Sequence, residues 1–470
     1  MQILKMNVTK LFIGLVLILT TSSAQSQLRL PNYYGDHMVL QRGEKIKLWG
    51  WAKPGQEVTL TLDQRSYRAN VGTDSTWSVA LPEFKAGGPW VISVNAGEEQ
   101  VNFKDVYFGD VWFCSGQSNM SFRVDQARDF DKELKDADYP LIRELGVGLD
   151  TSLDPQRNIK KGIWKSAGEK TISGFSAVAW FFAKELYKKN KIPVGIIHSS
   201  WGGTPIEAFM TGENPPHKII SATKAKNLQP GLVYNAMVNP LFKFAVKGVL
   251  WYQGEANSHL PVCFEYERLL KTMIESWRRS WNKEDLPFLL VQLANYSQKN
   301  TSPGKISGWA VLQEAQHKVS DAMKNVGMVV INDLGNPTDS HPTNKQDVGK
   351  RLAAVAFHDV YGEKKMVAYG PSLKVIKSEN GKLNLAFKDA GGGIVAKSGG
   401  IRLNGFSVAG DDLQYREAIA EIFDNHVIVY SPDVPKPVYV RYAFTDNPPP
   451  VNFYNKEGFP AVPFRTDNLR

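Results

Sequence analysis

The segment VWFCSGQSNMSF, residues 111–122, passes from an apolar run directly into a turn of uncharged polar residues. Ser118 lies in this turn, two residues after Gly116, and glycine permits the backbone conformations that a sharp turn requires. A serine hydroxyl becomes a nucleophile only when a neighbouring base accepts its proton. Ser115 is the competing candidate, but it lies nearer to the predicted strand. We therefore predict that Ser118 is a nucleophile.

The base predicted for Ser118 is His341, in the segment DSHPTNK at residues 339–345. Residues i and i+2 of an extended segment point the same way, so a carboxylate oxygen of Asp339 can reach the His341 ring. Pro342 favours this conformation, because it disfavours helical geometry at the residue before it. Asp339 would then orient the imidazole and leave its Nε2 atom for Ser118. The alternatives that remain open are Asp333 as the acid and His198 or His259 as the base.

A serine nucleophile also requires hydrogen-bond donors for the oxyanion that forms on the substrate. The backbone N–H of Ser118 is one predicted donor. Gly202 or Gly203 is predicted as a second, because glycine lets the backbone approach a substrate closely. A side-chain amide, from Gln253 or Asn257, is predicted to complete the set. Further candidate substrate-loop residues are Gln117, Asn119, Glu255 and Asn257.

These loops each follow a predicted strand of one parallel sheet. Residues 105–365 alternate continuously apolar strands with helices, which is typical of a parallel sheet covered on both faces. The predicted strands are 110–114, 194–200, 246–253, 287–294 and 326–333, and the predicted helices are 176–189, 264–281 and 309–323. Ligands bind at the carboxyl ends of such strands, so the four loops are expected to form a single site in an α/β catalytic domain.

Segments rich in β-strand signals flank this domain on both sides. Short runs such as KIKLWGWA and EVTLTL alternate with turn residues, which predicts an antiparallel β-sandwich over residues 25–104. Residues 366–470 contain similar runs, among them LNLAFK and VYVRYAF, and are predicted to form a second antiparallel β-domain. The chain of 470 residues is thus expected to contain three domains after its N-terminal segment.

Residues 1–24 have the pattern of a secretory signal peptide. Lys5 and Lys10 precede a short apolar run, residues 11–19, and small residues follow it. A membrane span needs roughly 20 apolar residues, so we predict export to the periplasm or the exterior without a stable membrane anchor. Removal of this segment lowers the formal net charge from +9 to +7. Basic clusters and nucleic-acid-reading motifs are not visible, so nucleic acid is not a predicted partner.

The chain contains two cysteines, Cys114 and Cys263. They could form one disulfide in an oxidising compartment, but the apolar run around Cys114 favours a buried free thiol. The sequence contains neither a CxxC pair nor an HExxH motif. We therefore predict no metal and no other cofactor.

Four blocks of the sequence, GQSNM, SSWGGTPIEAF, LWYQGEAN and DSHPTNKQDVGKRLA, resemble the sialate O-acetylesterase family, a branch of the SGNH-type serine esterases. The early segment YGDHMVLQRGEKIKLWGWAKPGQEV and the late segment VRYAFTDNPPPVNFYNKEGFPAVPFRTD resemble the flanking segments of that family. The resemblance therefore extends over essentially the whole chain after the N-terminal segment. It implies a flavodoxin-like three-layer core and the hydrolysis of O-acetyl esters on sugars without a metal.

The resemblance also implies roles for individual residues. The family's serine, histidine and aspartate correspond to Ser118, His341 and Asp339, and its oxyanion groups to the Ser118 amide, the Gly202–Gly203 loop and Gln253. Many relatives carry an apolar residue where this chain has Ser340. SGNH enzymes at large place the acid three residues before the histidine, where this chain has Thr338.

The substrate expected from the resemblance is an O-acetylated sialic acid, hydrolysed through an acetyl-enzyme. An acetylxylan or other polysaccharide esterase is the main alternative, because the reacting group is the same. A glycan-binding protein without activity is the alternative from another class. Residues considered for binding a substrate carboxylate are Arg123, Arg268 and Arg465.

Overall fold

The structure of the protein is a computed structural model that describes residues 27–211, 229–297 and 302–468. The predicted signal peptide, residues 1–24, lies outside the described residues. None of the helices in the described part of the chain has the length and apolar character needed to cross a membrane.

The N-terminal residues form strands, most of them paired antiparallel, that lead into the central sheet. Their bounds are β1 (Val39–Gln41), β2 (Ile46–Trp51), β3 (Glu57–Leu62), β4 (Arg65–Asn70), β5 (Thr76–Leu81), β6 (Gly87–Ala96) and β7 (Glu99–Gly116). β2 pairs with β5, and β3 pairs with β4 and β6. The long strand β7 pairs antiparallel with β6 in its first part and continues into the central sheet. The predicted boundary between residues 104 and 105 thus lies inside one uninterrupted strand, and the division into domains stays a prediction.

The central residues form a parallel sheet with helices on both faces. Their elements are α1 (Ser118–Ser121), α2 (Phe130–Lys135), β8 (Tyr139–Val147), β9 (Gly162–Ala167), α3 (Ala177–Asn190), β10 (Val194–Ser200), β11 (Gly248–Tyr252), α4 (Tyr266–Trp281), β12 (Phe288–Val291), α5 (Gly308–Ala322), β13 (Val326–Val329) and α6 (Lys345–Asp359). The strand order is β13-β12-β11-β7-β10-β8-β9, and every neighbouring pair is parallel except β8 and β9.

The order β10-β7-β11-β12-β13 is the flavodoxin-like order 2-1-3-4-5 when these strands are numbered along the chain. Every side chain of β11, β12 and β13 is buried, as expected when helices cover both faces. α3 packs against α6, and α4 packs against α5. α4 buries Leu269, Leu270, Met273, Ile274 and Trp277, which recur at helical spacing. The predicted three-layer α/β core is confirmed.

The C-terminal residues form further antiparallel sheets, also as predicted. Their strands are β14 (Ser372–Glu379), β15 (Lys382–Lys388), β16 (Ile394–Ala396), β17 (Arg402–Leu403), β18 (Phe406–Ala409), β19 (Arg416–Glu417), β20 (Ile419–Phe423), β21 (His426–Tyr430), β22 (Tyr439–Tyr442), β23 (Phe453–Asn455) and β24 (Phe464–Arg465). One sheet has the order β14-β15-β21-β20-β17 and another the order β19-β18-β22-β24. They enclose a hydrophobic cluster separate from the one shared by the N-terminal strands and the central sheet.

The position of the candidate site follows from the strand order. The order reverses at β7, which lies between β10 and β11 in the sheet. Crevices at the carboxyl edge of an α/β sheet form where the order reverses in this way. The loops after β7, β10 and β11 therefore meet at one edge, together with the loop after β13.

Candidate active site

The turn that carries Ser118 begins at a position where only glycine fits. Gly116 ends β7 and pairs with Ser200 of β10 on one side and with Tyr252 of β11 on the other. A Cβ atom on Gly116 would lie 2.0 Å from the carbonyl oxygen of Tyr252, and the φ angle of +140° favours glycine. The chain therefore turns tightly between two neighbouring strands, and α1 starts at Ser118. The first N–H groups of a helix have no acceptor within it, so the Ser118 N–H is not used by a hydrogen bond inside α1.

His341 lies against this serine. Its Nε2 atom is 2.8 Å from the hydroxyl oxygen of Ser118. Asp339 Oδ1 lies 3.2 Å from His341 Nδ1 and also accepts the backbone N–H of His341 at 2.8 Å. The Phe122 ring stacks on the imidazole with 6.5 Å between centroids. The side chain of Asp339 is 55% exposed, so this carboxylate contacts the imidazole from the solvent side.

The alternative acid and the alternative nucleophile both lie away from His341. Asp333 is buried and accepts two hydrogen bonds from the guanidinium of Arg351 and one from the Tyr454 hydroxyl. Ser115 is fully buried within β7, and its hydroxyl does not reach the surface of the turn. The structure thus brings neither of them to His341.

The alternative histidines also lie apart from Ser118. His198 Nε2 is 2.6 Å from the hydroxyl of Ser200, and its Nδ1 lies 3.6 Å from a carboxylate oxygen of Glu144. His259 is exposed in the loop before α4. His341 is therefore the histidine that the fold places against the nucleophile candidate.

The glycine loop after β10 lies beside the serine. A Cβ atom on Gly202 would be 3.6 Å from the Cβ atom of Ser118, and Gly202 is exposed. Gly203 is also exposed and has a φ angle of +70°. The Ser118 amide and this loop therefore line one space next to the hydroxyl, where a substrate oxygen could accept hydrogen bonds.

The prediction that Gln253 adds an oxyanion donor disagrees with the structure. Gln253 is fully buried, and its amide nitrogen donates to Gln117 Oε1 at 3.1 Å and to Asn257 Oδ1 at 2.8 Å. The Tyr266 hydroxyl donates to Gln253 Oε1 at 2.8 Å. Both ends of this amide are thus used inside the protein, because the residue directly follows a strand buried on both faces.

Three of the four candidate substrate-loop residues also lie beneath the site. Gln117, Asn119 and Asn257 are at most 3% exposed. Gln117 Oε1 accepts the backbone N–H of Ala256 at 3.2 Å, and Asn257 donates to Glu207 at 2.9 Å. These amides hold the loops after β7 and β11 together and do not line the surface. Their buried positions argue against direct contact of these three side chains with a substrate.

Sequence reasoning missed a buried lysine next to the site. Lys345, at the start of α6, is fully buried and donates to Asn119 Oδ1. Asn119 in turn donates to Glu255 Oε1 at 2.5 Å and to the carbonyl of Ser340 at 2.9 Å. Burial lowers the pKa of Lys345 to about 7 and raises the pKa of the half-buried Glu255. The helical spacing of Lys345, Val348 and Leu352 was the available signal that this lysine faces inward.

A hydroxyl and an imidazole in contact at the carboxyl edge of a flavodoxin-like sheet are the arrangement of an SGNH-type serine hydrolase. Among the described residues, no group of three or more His, Cys, Asp or Glu side chains is placed to hold a metal ion. The class defined by fold and site is thus that of a serine esterase.

Known proteins agree with this class. The sequence profile of the carbohydrate esterases described as sialic acid-specific acetylesterases matches residues 108–358. Sialate O-acetylesterase from Homo sapiens is 33% identical over 423 residues, 80% of each chain, and that from Mus musculus is 31% identical over 449 residues, 80% of this chain and 82% of the other. A carbohydrate acetylesterase crystal structure from Xanthomonas citri is similar with a TM-score of 0.88 at 38% identity, covering 94% of this chain and 100% of the other. The chain belongs to the sialate O-acetylesterase family of carbohydrate esterases.

Proposed function

We propose that the protein removes O-acetyl groups from sugars, most specifically from O-acetylated sialic acids, through an acetyl-enzyme on Ser118. The observation that carries the proposal is the 2.8 Å contact between Ser118 Oγ and His341 Nε2. This distance lies within the hydrogen-bond range over which a base can take the proton of a nucleophile. Membership of the esterase family supports the reaction type.

In the first half of the reaction, the Ser118 oxygen attacks the acetyl carbonyl carbon while His341 Nε2 accepts the hydroxyl proton. The negative charge on the carbonyl oxygen is met by the N–H of Ser118 and by the Gly202–Gly203 loop. Asp339 accepts a hydrogen bond from Nδ1 and stabilises the imidazolium. The bond to the sugar oxygen then breaks, and His341 returns the proton to that oxygen, which leaves a sugar hydroxyl and an acetylated Ser118.

In the second half, a water molecule replaces the sugar. His341 Nε2 accepts a proton from the water, whose oxygen attacks the acetyl carbon. The bond to the Ser118 oxygen breaks, and the imidazolium returns the proton to it. Acetate leaves, and the serine is restored without any metal in the cycle.

The substrate class is proposed from the relatives. The family profile and the human and mouse relatives carry names that refer to sialic acid or sialate, which favours O-acetylated sialic acid. The structure from Xanthomonas citri is described more broadly as a carbohydrate acetylesterase, which favours a polysaccharide such as acetylxylan as the second candidate. Measuring acetate released from O-acetylated sialic acid and from acetylated xylan at equal acetyl concentration separates the two. Glycan binding without acetate release would instead support a binding protein.

We also propose that the protein is exported, on the basis of the N-terminal pattern described above. Expression with and without residues 1–24 tests this. Full-length protein should appear in the periplasmic or extracellular fraction with a new N-terminus near Gln25, and the truncated protein should stay in the cytoplasm. An uncleaved full-length protein in the cytoplasm would contradict the proposal.

The mechanism is tested with three variants and 4-nitrophenyl acetate. Ser118→Ala and His341→Ala should lower kcat/KM by at least about 10³-fold, because removal of either partner abolishes covalent catalysis. Ser115→Ala is the matched control, since Ser115 is a buried serine in the same segment whose hydroxyl has no hydrogen-bond partner among the described residues. It should keep nearly the parental activity. Near-normal turnover by a folded Ser118→Ala protein would reject the mechanism.

A further inference from the structure

A second cleft lies at the same edge of the sheet as Ser118. Its volume is about 320 Å³, and β8, β9, β10 and the segment before α3 form its walls. The residues that matter for the argument are Glu144, Gly146, Lys161, Ile163, Lys165 and His198. The proposed reaction uses none of them.

The register of the sheet places this cleft next to the catalytic loops. His198 of β10 pairs with Cys114 of β7 on one side and with Gly146 of β8 on the other. Two residues later, Ser200 pairs with Gly116, where the turn to Ser118 begins. Neighbouring strands lie about 5 Å apart, so β8 is roughly 10 Å from β7, and β9, which follows β8 in the sheet, is roughly 15 Å from it. A sugar that spans this distance can occupy the cleft while it presents an acetyl group to Ser118.

The wall between the cleft and the nucleophile turn is a chain of polar contacts. His198 Nε2 lies 2.6 Å from the Ser200 hydroxyl, which lies 2.8 Å from the hydroxyl of Ser121. Ser121 is the last residue of α1, the helical turn that starts at Ser118. The hydroxyls of Ser200 and Ser121 thus lie between His198 of the cleft and the helical turn that carries Ser118.

The side chains that open into the cleft carry positive charge. Ile163 and Lys165 lie in β9, and Lys161 immediately precedes it. The three residues alternate along the chain, so they point to one face of the sheet. Both lysines are exposed, and among the described residues neither forms an ion pair with a carboxylate. Ile163 lies between them and is 57% exposed, which provides an apolar surface inside a cationic rim.

The carboxylate of the cleft is already satisfied. Glu144 lies opposite Lys165 in the β8–β9 register, but its side chain is only 6% exposed. Glu144 Oε2 accepts the backbone N–H of Ser176 at 3.0 Å, and Oε1 faces His198 Nδ1 at 3.6 Å. The open groups of the cleft are therefore two ammonium groups and an apolar surface.

The arginines considered from the sequence are already paired. Arg123 donates to Asp125, Arg268 to Glu265, and Arg465 to Glu314. Each guanidinium is thus neutralised by a carboxylate of its own. The unpaired lysines of the cleft are better placed to attract a substrate anion.

We infer that this cleft binds the carboxylate of an acidic sugar, with Lys161 and Lys165 as the cationic partners and the sugar ring over Ile163 and Gly146. The inference rests on the proposed deacetylase function and adds where the charge of the substrate is recognised. Exposed lysines attract a carboxylate by long-range electrostatic interaction, and they do not need the fixed bidentate geometry of an arginine–carboxylate pair.

The test compares two substrates that differ only in charge, 9-O-acetyl-N-acetylneuraminic acid and its C1 amide. The wild-type protein should release acetate from the acid with a kcat/KM about 10-fold higher than from the amide, and the preference should shrink at high salt. In the Lys161→Gln/Lys165→Gln variant the ratio should fall to about 1. Lys374→Gln, an exposed lysine of β14, is the matched control and should keep the wild-type ratio. Because the ratio is taken within one preparation, the amount of active enzyme cancels.

The possible outcomes distinguish failure of the proposed subsite from failure of the proposed deacetylase function. Equal wild-type rates on the acid and the amide, together with equal rates on the two xylo-oligosaccharides described below, overturn the subsite and leave the deacetylase function intact. An unchanged ratio in the double variant has the same consequence. Absence of acetate release from both sugars rejects the proposed function and the subsite with it. Acetylated xylo-oligosaccharides with and without a glucuronic acid branch show whether the acidic sugar is a uronic acid, in which case the charge preference appears with that pair and is absent with the sialic acid pair.

A second variant tests the cleft by filling it. A Cβ atom on Gly146 would meet no atom within 4 Å, so Gly146→Leu places a side chain in the open space. We expect kcat/KM for the acidic sugar to fall about 10-fold through a higher KM. Gly168→Leu adds the same side chain at another open glycine outside the cleft and should leave KM unchanged. A wild-type KM in the folded Gly146→Leu protein overturns the inference.

Discussion

The carboxylate of Asp339 contacts His341 from the solvent side, and this exposure limits how much it can stabilise the imidazolium. Its side chain is 55% exposed, and its contact with Nδ1 is 3.2 Å long. Exposed ion pairs are weakened by solvent and salt. We expect Asp339→Asn to lower kcat/KM for 4-nitrophenyl acetate by about 10- to 100-fold, less than His341→Ala. Steady-state kinetics on both variants measure the difference.

Asp333 provides the contrasting variant. It is buried and pairs with Arg351, so Asp333→Asn weakens a buried ion pair without touching His341. The expected result is a lower melting temperature with nearly unchanged kcat. If a folded Asp333→Asn protein lost its activity while Asp339→Asn retained it, the assignment of the acid would be wrong.

Lys345 makes the stability of the protein depend on pH. Burial lowers its pKa from 10.5 to about 7, so between these values the unfolded chain binds a proton that the folded chain does not. Stability therefore rises with pH in this window. The test measures the melting temperatures of two proteins, one that keeps Lys345 and one with Lys345→Met. Both carry Glu255→Gln, which removes the neighbouring carboxyl. From pH 7 to 9.5, the melting-temperature difference should shift in favour of the protein that keeps Lys345. A constant difference would mean that Lys345 keeps its proton in the folded state.

The direction of side chains was the part of the site that the sequence could not supply. Ser118, His341 and Asp339 were predicted from residue type and local spacing, and the fold brings them into contact. Gln253 and Asn257 were equally polar and equally close to a strand end, yet they point inward. Their direction depends on hydrogen bonds to residues distant in sequence, such as Gln117, and no local pattern encodes those partners.

At the scale of elements, the end of β7 fixes where the nucleophile lies. Gly116→Ala would place a methyl group 2.0 Å from the Tyr252 carbonyl oxygen in a backbone conformation that alanine disfavours. We expect a loss of at least about 2 kcal/mol in the free energy of unfolding, with a matching loss of esterase activity. Thermal unfolding and 4-nitrophenyl acetate hydrolysis measure the two effects.

Gly168→Ala is the control for this substitution, since a Cβ atom there meets nothing within 4 Å. It should melt and turn over like the parent. A Gly116→Ala protein with parental stability and activity would show that β7 and β11 can separate enough to admit the methyl group, which contradicts the close approach described above.

Helices and strands of the core with a clear apolar periodicity were predictable from the sequence. Those with an interrupted pattern were not. The predicted helix at 264–281 corresponds to α4, and the predicted strand at 194–200 corresponds to β10. α6 was missed because Lys345 and Lys350 interrupt its apolar pattern near a polar loop. The continuity of β7 across residues 104 and 105 was also missed, because a change in composition was interpreted as a boundary. Composition reports what a strand packs against, and one strand can pass from one environment to another.

At the scale of the whole molecule, the sequence predicted the flanking β-rich segments but not their contacts with the core. The C-terminal strands have their own hydrophobic cluster, yet Phe444 and Val462 pack in the cluster of the central sheet. The Tyr454 hydroxyl also donates to Asp333, in the segment that leads to His341. Such contacts join residues more than a hundred positions apart, so neither periodicity nor local spacing could reveal them.

These contacts lead us to expect that the C-terminal strands and the catalytic core unfold together. Arg465 of β24 is 8% exposed and donates two hydrogen bonds to Glu314 of α5, at 3.2 and 3.0 Å. Removing one partner of a buried ion pair leaves the other charge uncompensated. Arg465→Leu should therefore lower the free energy of unfolding by about 3 kcal/mol.

The decisive measurement is whether activity and structure are lost at the same temperature. If the molecule is one cooperative unit, calorimetry of the Arg465→Leu variant gives one transition, and esterase activity disappears at its midpoint. Lys374→Gln changes an exposed lysine of β14 and should leave the midpoint unchanged. Two transitions, with activity surviving the first, would mean that the C-terminal sheets unfold alone. The loop that carries His341 would then keep its position without the Tyr454 contact, and residues 105–365 would behave as the independent domain that the sequence predicts.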